Sequence, residues 1–233
     1  MRLSRVLTIG GHKKQLIDER IMLSLSSPGR AMFTVVVDAK AVLVNQLVTF
    51  DVGYTRQPAL QRFFIGFVEK IVPQEGGRLK LFCRELAAAL AFDVPLDCRH
   101  VTAADVLKKV TEVTGNGLDF VLPDEVYSKT KVASFFNIGS GYLLLEKVGT
   151  VFGIDDFIWQ QQAGKVFAGS WAHSRWAAIP DLIIPLSMFD KQLSNESARI
   201  AALPKLRPGI RINGNRITSI DFSKNHMVLS WKK

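Results

Sequence analysis

From Met1 to about Ala91 apolar and polar residues alternate with a period of two. "RLSRVLTIGG" puts Leu3, Arg5, Leu7 and Ile9 on one side and stops at Gly10-Gly11. "RIMLSLSS" sets Met22, Ser24 and Ser26 against Leu23 and Leu25, and "SPGR" is expected to turn the chain into "AMFTVVVDA". "QLVTFDVGYT", "ALQRFFIGFVEKIV" and "GRLKLFCRE" follow. Short β-rich runs bounded by Gly, Pro and Asp predict a small antiparallel barrel or sandwich rather than alternating strands and helices.

Two of these runs form the most informative hairpin, Arg62 to Leu86, with Glu75-Gly76-Gly77 supplying the positive φ of the turn. Strict alternation places Phe63, Ile65, Phe67 and Ile71 with Leu79, Leu81 and Cys83 on a core face. It leaves Phe64, Val68, Lys70, Val72, Arg78, Lys80, Phe82 and Arg84 on the other. Apolar rings among cations, with almost no acid and no histidine, suit a contact with another subunit or partner better than catalysis.

The period then changes. After a short helix over 84–92 and a connecting strand "DVPLDCRHV", Thr102 opens a helix over 102–114. Asp105 completes a capping box, Gly115 closes the helix, and Val106, Leu107, Val110 and Val113 form its apolar stripe. A strand "LDFVL" follows, "PDE" reads as a turn, and "KVASFFNIG" reads as a strand. Ser140 then opens a second helix over 140–152 that ends at Gly153 and leads into "IDDFIWQQQ". Thr102 aligns with Ser140, Val106 with Leu144, Leu107 with Leu145, Val110 with Val148 and Gly115 with Gly153, about 38 residues apart. Two copies are too few for a solenoid. They predict a compact α/β domain of two strand-helix-strand halves.

From about Lys165 the pattern is β again. "GKVFAGSW" can pair with the preceding strand through a Gln-Ala-Gly turn, whereas Pro180 and Pro185 fit edges or bends. "GIRINGNRITSIDFSKNHMVLSWKK" reads as a meander with turns at 213–215 and 223–225. The expected organisation is therefore α+β: antiparallel barrel-like domains at 1–93 and 169–233 flank an α/β domain at 94–168.

Composition narrows the functional classes. A chain of 233 residues can bury roughly 70% of the surface it exposes when unfolded, so it needs no metal or disulfide to fold. Cys83 and Cys98 read as buried reduced thiols. No basic segment followed by an apolar run opens the sequence, and no run approaches the roughly 18 residues of a membrane span, so neither a cleaved signal nor a span is expected. The net charge is +9, yet the cations are scattered along the sequence ("HKK", "LKK", "SRW", "WKK"), which reads as a mildly basic surface.

His12, His100, His173 and His226 fall in different segments with no metal-ligand spacing, and "TIGGHKKQ" lacks P-loop spacing. Asp155-Asp156, taken as strand neighbours, point to opposite faces, and Asp124-Glu125 sits in the "PDE" turn. No catalytic residue, cofactor or metal is predicted. A basic nucleic-acid-binding protein is the alternative, and a hydrolase with scattered catalytic residues a more distant one.

The order of parts resembles the hub proteins of bacteriophage tails and baseplates, the late-control tail proteins, and the hub portion of type VI secretion spike proteins. Thr102, Asp105, Val106, Leu107, Thr114, Gly115, Leu118 and Phe120 carry the likeness, which the Asn116-Gly117 insertion loosens, and Phe64, Gly66, Val68, Leu79, Leu81 and Cys83 match the end of a hub's first barrel. The resemblance implies a structural, non-enzymatic protein of the virion tail, assembled in the host cytoplasm. It implies a homotrimer whose three pairs of barrels make a six-part ring, joining a tail tube or distal tail protein to a tip, spike or fibre. The tape measure protein becomes a further partner, and DNA passes through the channel without specific binding. Such hubs often continue into a further β-domain or spike, so a separate tip protein is expected. Phe64, Lys70, Arg78, Lys80, Phe82 and Arg84 are the candidate residues for a subunit or partner contact, or for the channel lining.

Overall fold

The computed structural model describes residues 2–38, 41–55, 59–115 and 117–232; Asn116 and Lys233 thus lie outside the described residues. Residue contacts divide the chain into two compact units. One comprises Met1–Ser24, Gly29–Glu85 and Asp181–Lys233, the other Leu25–Pro28 and Leu86–Pro180.

The first unit begins with β1 (Leu3–Ile9), β2 (His12–Lys14), β3 (Leu16–Ser24), β4 (Ser27–Val36), β5 (Leu47–Tyr54), β6 (Gln61–Gln74) and β7 (Arg78–Glu85). The expected strands are all present. The reversal between β3 and β4, however, is made by Leu25-Ser26, with Ser26 at φ +51°, and "SPGR" belongs to β4. The reason is a close approach. A Cβ on Gly29 would lie 2.8 Å from the Glu85 carboxyl carbon, and the Gly29 N–H donates to Glu85 Oε2 at 2.6 Å. Glycine is used here for its missing side chain inside a strand, not for a turn.

The second unit holds β8 (Leu96–Val101), α1 (Ala103–Val113), β9 (Asp119–Val121), α2 (Val126–Lys129), β10 (Val132–Asn137), α3 (Gly141–Val151), β11 (Phe157–Gln162) and β12 (Lys165–Ser170). The predicted halves are β8-α1-β9 and β10-α3-β11. Their first strands pair with each other, Cys98 opposite Phe135, while β12 joins β11 antiparallel and β9 parallel. Equivalent positions of the two helices fill one core: Val106 and Leu144, Leu107 and Leu145, Val110 and Val148 are all buried. Val113, expected in the stripe, is 55% exposed, and Ala103 takes the buried place one helical face earlier. The "PDE" stretch leads into α2, a single helical turn that the sequence reading missed. Asp155 and Asp156 lie in a turn and not a strand, Asp156 at φ +47°.

The start of α1 is a complete capping box. Thr102 Oγ1 accepts from the Asp105 N–H at 3.1 Å, and Asp105 Oδ2 accepts from the Thr102 N–H at 2.9 Å. Those bonds to Thr102 hold the Asp105 carboxyl below its ordinary range. Thr102→Ala is expected to lower the stability of this unit by about 1 kcal/mol, read by urea denaturation.

The chain then returns to the first unit with β13 (Phe189–Ser194), β14 (Ser197–Ala201), β15 (Arg211–Ile212), β16 (Asn215–Ser223) and β17 (His226–Trp231). The hairpin β13–β14 lies in a stretch that reads as irregular in sequence. All these strands belong to one twelve-stranded sheet, ordered β13-β14-β17-β16-β3-β4-β7-β6-β5-β1-β2, with β15 on β16. The β-segments from the two ends of the chain meet where Phe222 of β16 pairs with Ile21 of β3. The Phe222 ring lies 5.1 Å from Phe63 and 5.9 Å from Phe50, so both ends contribute to one core. The chain is thus mixed α and β, mostly antiparallel sheet. Among the described residues no helix is long and apolar enough to cross a membrane.

Candidate functional site

The hairpin β6–β7 forms where the sequence puts it, but two bulges change which residues share a face. Opposite β5, Phe50 pairs with Phe64 and Asp51 with Arg62, so Phe63 is an extra residue. Opposite β7, Val68 pairs with Cys83 and Lys70 with Phe82, so Glu69 is another. Each inserted residue shifts the alternation by one. Between the bulges the even positions Phe64, Gly66 and Val68 point into the core, and Phe67 points outward.

Phe64 is therefore not part of the face to which the alternation assigned it. It is 1% exposed and lies 6.1 Å from Phe33, edge to face. Lys70, Arg78, Lys80, Phe82 and Arg84 do come together. The register across β6, β7 and β4 gives four rows: Phe67-Arg84-Arg30, Lys70-Phe82-Met32, Val72-Lys80-Thr34 and Gln74-Arg78-Val36. Arg30, Met32 and Phe67 were missed. The signals were the Phe63-Phe64 doublet and Glu69, the polar residue that interrupts an apolar odd series.

The face is cationic and half-buried. Lys80 Nζ sits 5.7 Å from the centre of the Phe82 ring, and Arg84 Nη1 lies 3.3 Å from Glu69 Oε1. Arg30 and Arg84 stand directly opposite each other, an arrangement that costs stability in isolation. Among the described residues, Arg30, Lys70, Arg78 and Lys80 have no carboxylate within ion-pair distance. Cations that look scattered along the sequence are segregated in space. The first unit holds 22 Lys and Arg against 11 Asp and Glu, a net +11; the second holds 8 against 10, a net −2.

Behind this face the core holds two unusual groups. Burial pushes the Cys83 thiol up to about 12, with nearby Glu69 adding to the shift, so it is an inert packing group and no nucleophile. Glu85 closes the end of β7, and burial raises its carboxyl from 4.5 to about 7 against the opposing pull of the Gly29 N–H and Arg207. Glu19 is also raised to about 7. Arg5, 2.9 Å away, and Lys224 favour the charged form, but the carboxylate is 3% exposed, and desolvation outweighs them.

The consequence for pH follows from the raised values. Below about pH 4.5 folded and unfolded chains both hold these protons, and their stabilising contribution is fully present. Between about 4.5 and 7 the unfolded chain ionises first, and stability falls. The melting temperature of the first unit is expected to drop over that window, and Glu85→Gln, which keeps an acceptor for Gly29, is expected to flatten the drop. A melting temperature rising from pH 5 to pH 7.5 in the wild type would refute the assignment.

No family model matches the chain. It is 34% identical over 233 residues to an uncharacterised 58.7 kDa protein of Haemophilus phage HP1, covering 99% of this chain and 42% of that protein. The chain thus spans less than half the length of that relative. Among solved structures it superposes on the 43 kDa tail protein of prophage MuSo2 from Shewanella oneidensis with a TM-score of 0.75 and 12% identity, covering 100% of this chain and 98% of that one. The chain has the fold of phage tail proteins. A tail protein from Neisseria meningitidis MC58 matches with a TM-score of 0.71 and 10% identity, covering 100% and 97% of the two chains. The Escherichia coli c3393 protein, a component of the type VI secretion system, matches with a TM-score of 0.62 and 13% identity over 97% and 77%. The half-buried cationic face of β4, β7 and β6 is the candidate contact surface of this fold.

Proposed function

We infer that this chain is a structural hub of a virion tail, joining the tail tube to a tip, spike or fibre, and that it has no catalytic role. The observation that carries this reading is the agreement of the whole chain, β-segments and α/β segment together, with the tail-protein fold. Three copies form a ring. On this reading each supplies two barrel-like β-regions, drawn from 1–93 and 169–233 and joined through their one sheet, and the ring lines a channel through which DNA passes.

The pairing within the first unit supports a barrel. β2 pairs with β1, and β3, one residue further on, is bonded to β4; the Val36 N–H donates to the intervening Gln15 carbonyl at 3.1 Å. On this reading strands β1, β5, β6, β7, β4 and β2–β3 follow one another round a shared core, an arrangement that would cover the edge at β2. Closed antiparallel barrels of this type are suited to stacking in a ring, because their faces and not their edges meet neighbours.

The test uses assembled particles. A tagged copy of the chain is expected to appear by immunogold labelling at the end of the tail where tube meets tip, at three copies per particle by quantitative mass spectrometry. Label along the whole tail, or none in the particle, would remove the hub reading.

A further inference from the structure

We propose that the outward face of β4, β7 and β6 docks an acidic surface of a different protein, one with an apolar centre. The inference deepens the hub reading and rests on it only in taking the chain to work within an assembly.

The face presents Arg30, Lys70, Arg78, Lys80 and Arg84 with Glu69 as the only carboxylate ion-paired to any of them among the described residues. An ordinary solvated sheet face sets cations opposite acids across strands. This one sets Arg30 opposite Arg84 and gives the pair one acid, Glu69 on Arg84, so an incoming anionic group meets an excess of cations.

A second copy of the same face cannot be the occupant in a two-fold contact, since such contacts place a patch against itself and here that means cation against cation. The rest of the basic unit offers few acids: among its described residues only Asp18, Glu75, Asp181 and Glu196 stand outside ion pairs and the core. Glu19, Asp38, Asp51, Asp190 and Asp221 are each ion-paired to cations of their own unit, and Glu85 is buried. The second unit has ten carboxylates interspersed with eight cations.

Nucleic acid fits less well than protein. Phosphate recognition needs cations and hydrogen-bond donors, whereas seven of the twelve positions of this face are apolar or uncharged, Phe82 among them. A mixed surface of rings, aliphatics and cations matches the core and rim of a protein interface.

The experiment measures binding of the full chain to three probes at low salt: a glutamate–tyrosine copolymer, poly-L-glutamate and a short DNA duplex. The copolymer is expected to bind tightest. Lys70→Glu with Lys80→Glu is expected to weaken it by about tenfold, and Lys13→Glu with Lys205→Glu, the same charge change at exposed cations elsewhere in the unit, by less than about twofold. Circular dichroism checks folding, and the milder Lys70→Gln with Lys80→Gln replaces the first variant if that variant is unfolded.

Equal losses in the two variants mean overall charge alone and overturn the proposal, as does absence of copolymer binding. Tighter binding of the duplex, lost in the same variant, makes the face a nucleic-acid surface and also overturns it. Light scattering separates the last case. If the wild type self-associates and Lys70→Glu with Lys80→Glu makes it monomeric, the face joins copies, the proposal fails, and the hub reading stands.

Discussion

Gly66→Ala is expected to leave the β-rich unit unfolded, at a cost above about 4 kcal/mol, the exceptional end of the single-substitution range. A Cβ at this position would fall 1.9 Å from the Arg84 carbonyl oxygen and 2.7 Å from its carbon, both backbone atoms of the adjoining strand. No rotamer change relieves a clash with backbone. The strands β6 and β7 would have to separate where Gly66 faces Glu85, and that pair lies beside Val68 and Cys83 in the middle of the core. A second glycine in the same hairpin gives the control. Gly77 has a positive φ of 66° and nothing within 4 Å of its missing Cβ, so Gly77→Ala carries only left-handed strain, on the order of 1 kcal/mol. Urea denaturation of the two variants measures the difference. A Gly66→Ala protein that melts within a few degrees of the wild type would show that the strands separate easily here.

Phe222→Ala has the next largest expected effect, a loss of about 3 to 5 kcal/mol for the first unit. The ring is fully buried and packs on Phe50 and Phe63, which come from the other end of the chain. Its removal opens a cavity lined by stiff aromatic neighbours that cannot collapse into it. The loss should therefore appear as one cooperative transition covering both β-segments. Phe92→Ala, in contrast, removes a ring that is 76% exposed and is expected to change stability by less than about 0.5 kcal/mol. If Phe222→Ala melted the C-terminal strands alone and left β1 to β7 intact in a separate transition, the common core would be disproved.

Period-two and helical periodicity were enough to locate almost every strand and both long helices, because local patterns record which side of an element meets the core. The capping box at Thr102 and the left-handed glycines Gly115 and Gly153 were legible for the same reason: their chemistry is satisfied within a few residues. The hairpin β13–β14 was not, since five of the six β13 residues are exposed and carry no alternation to read. The contact face was half legible. Its β7 series Arg78, Lys80, Phe82 and Arg84 alternates without a bulge, whereas Phe64 and Phe67 exchanged places because bulges at Phe63 and Glu69 depend on what the partner strands require.

The sequence by itself determined most of the elements, the caps and the repeated half of the α/β segment, all of which rest on neighbours close along the chain. Only the tertiary structure decided that the β-segments at the two ends share a core through Phe222, that Glu85 lies against Gly29, and that cations scattered in sequence become a net +11 on one unit. Those outcomes depend on pairings between residues far apart in the chain, and one-residue shifts of register reverse the face of every side chain that follows. No local pattern records such a shift, which is why the face had to be read from the sheet.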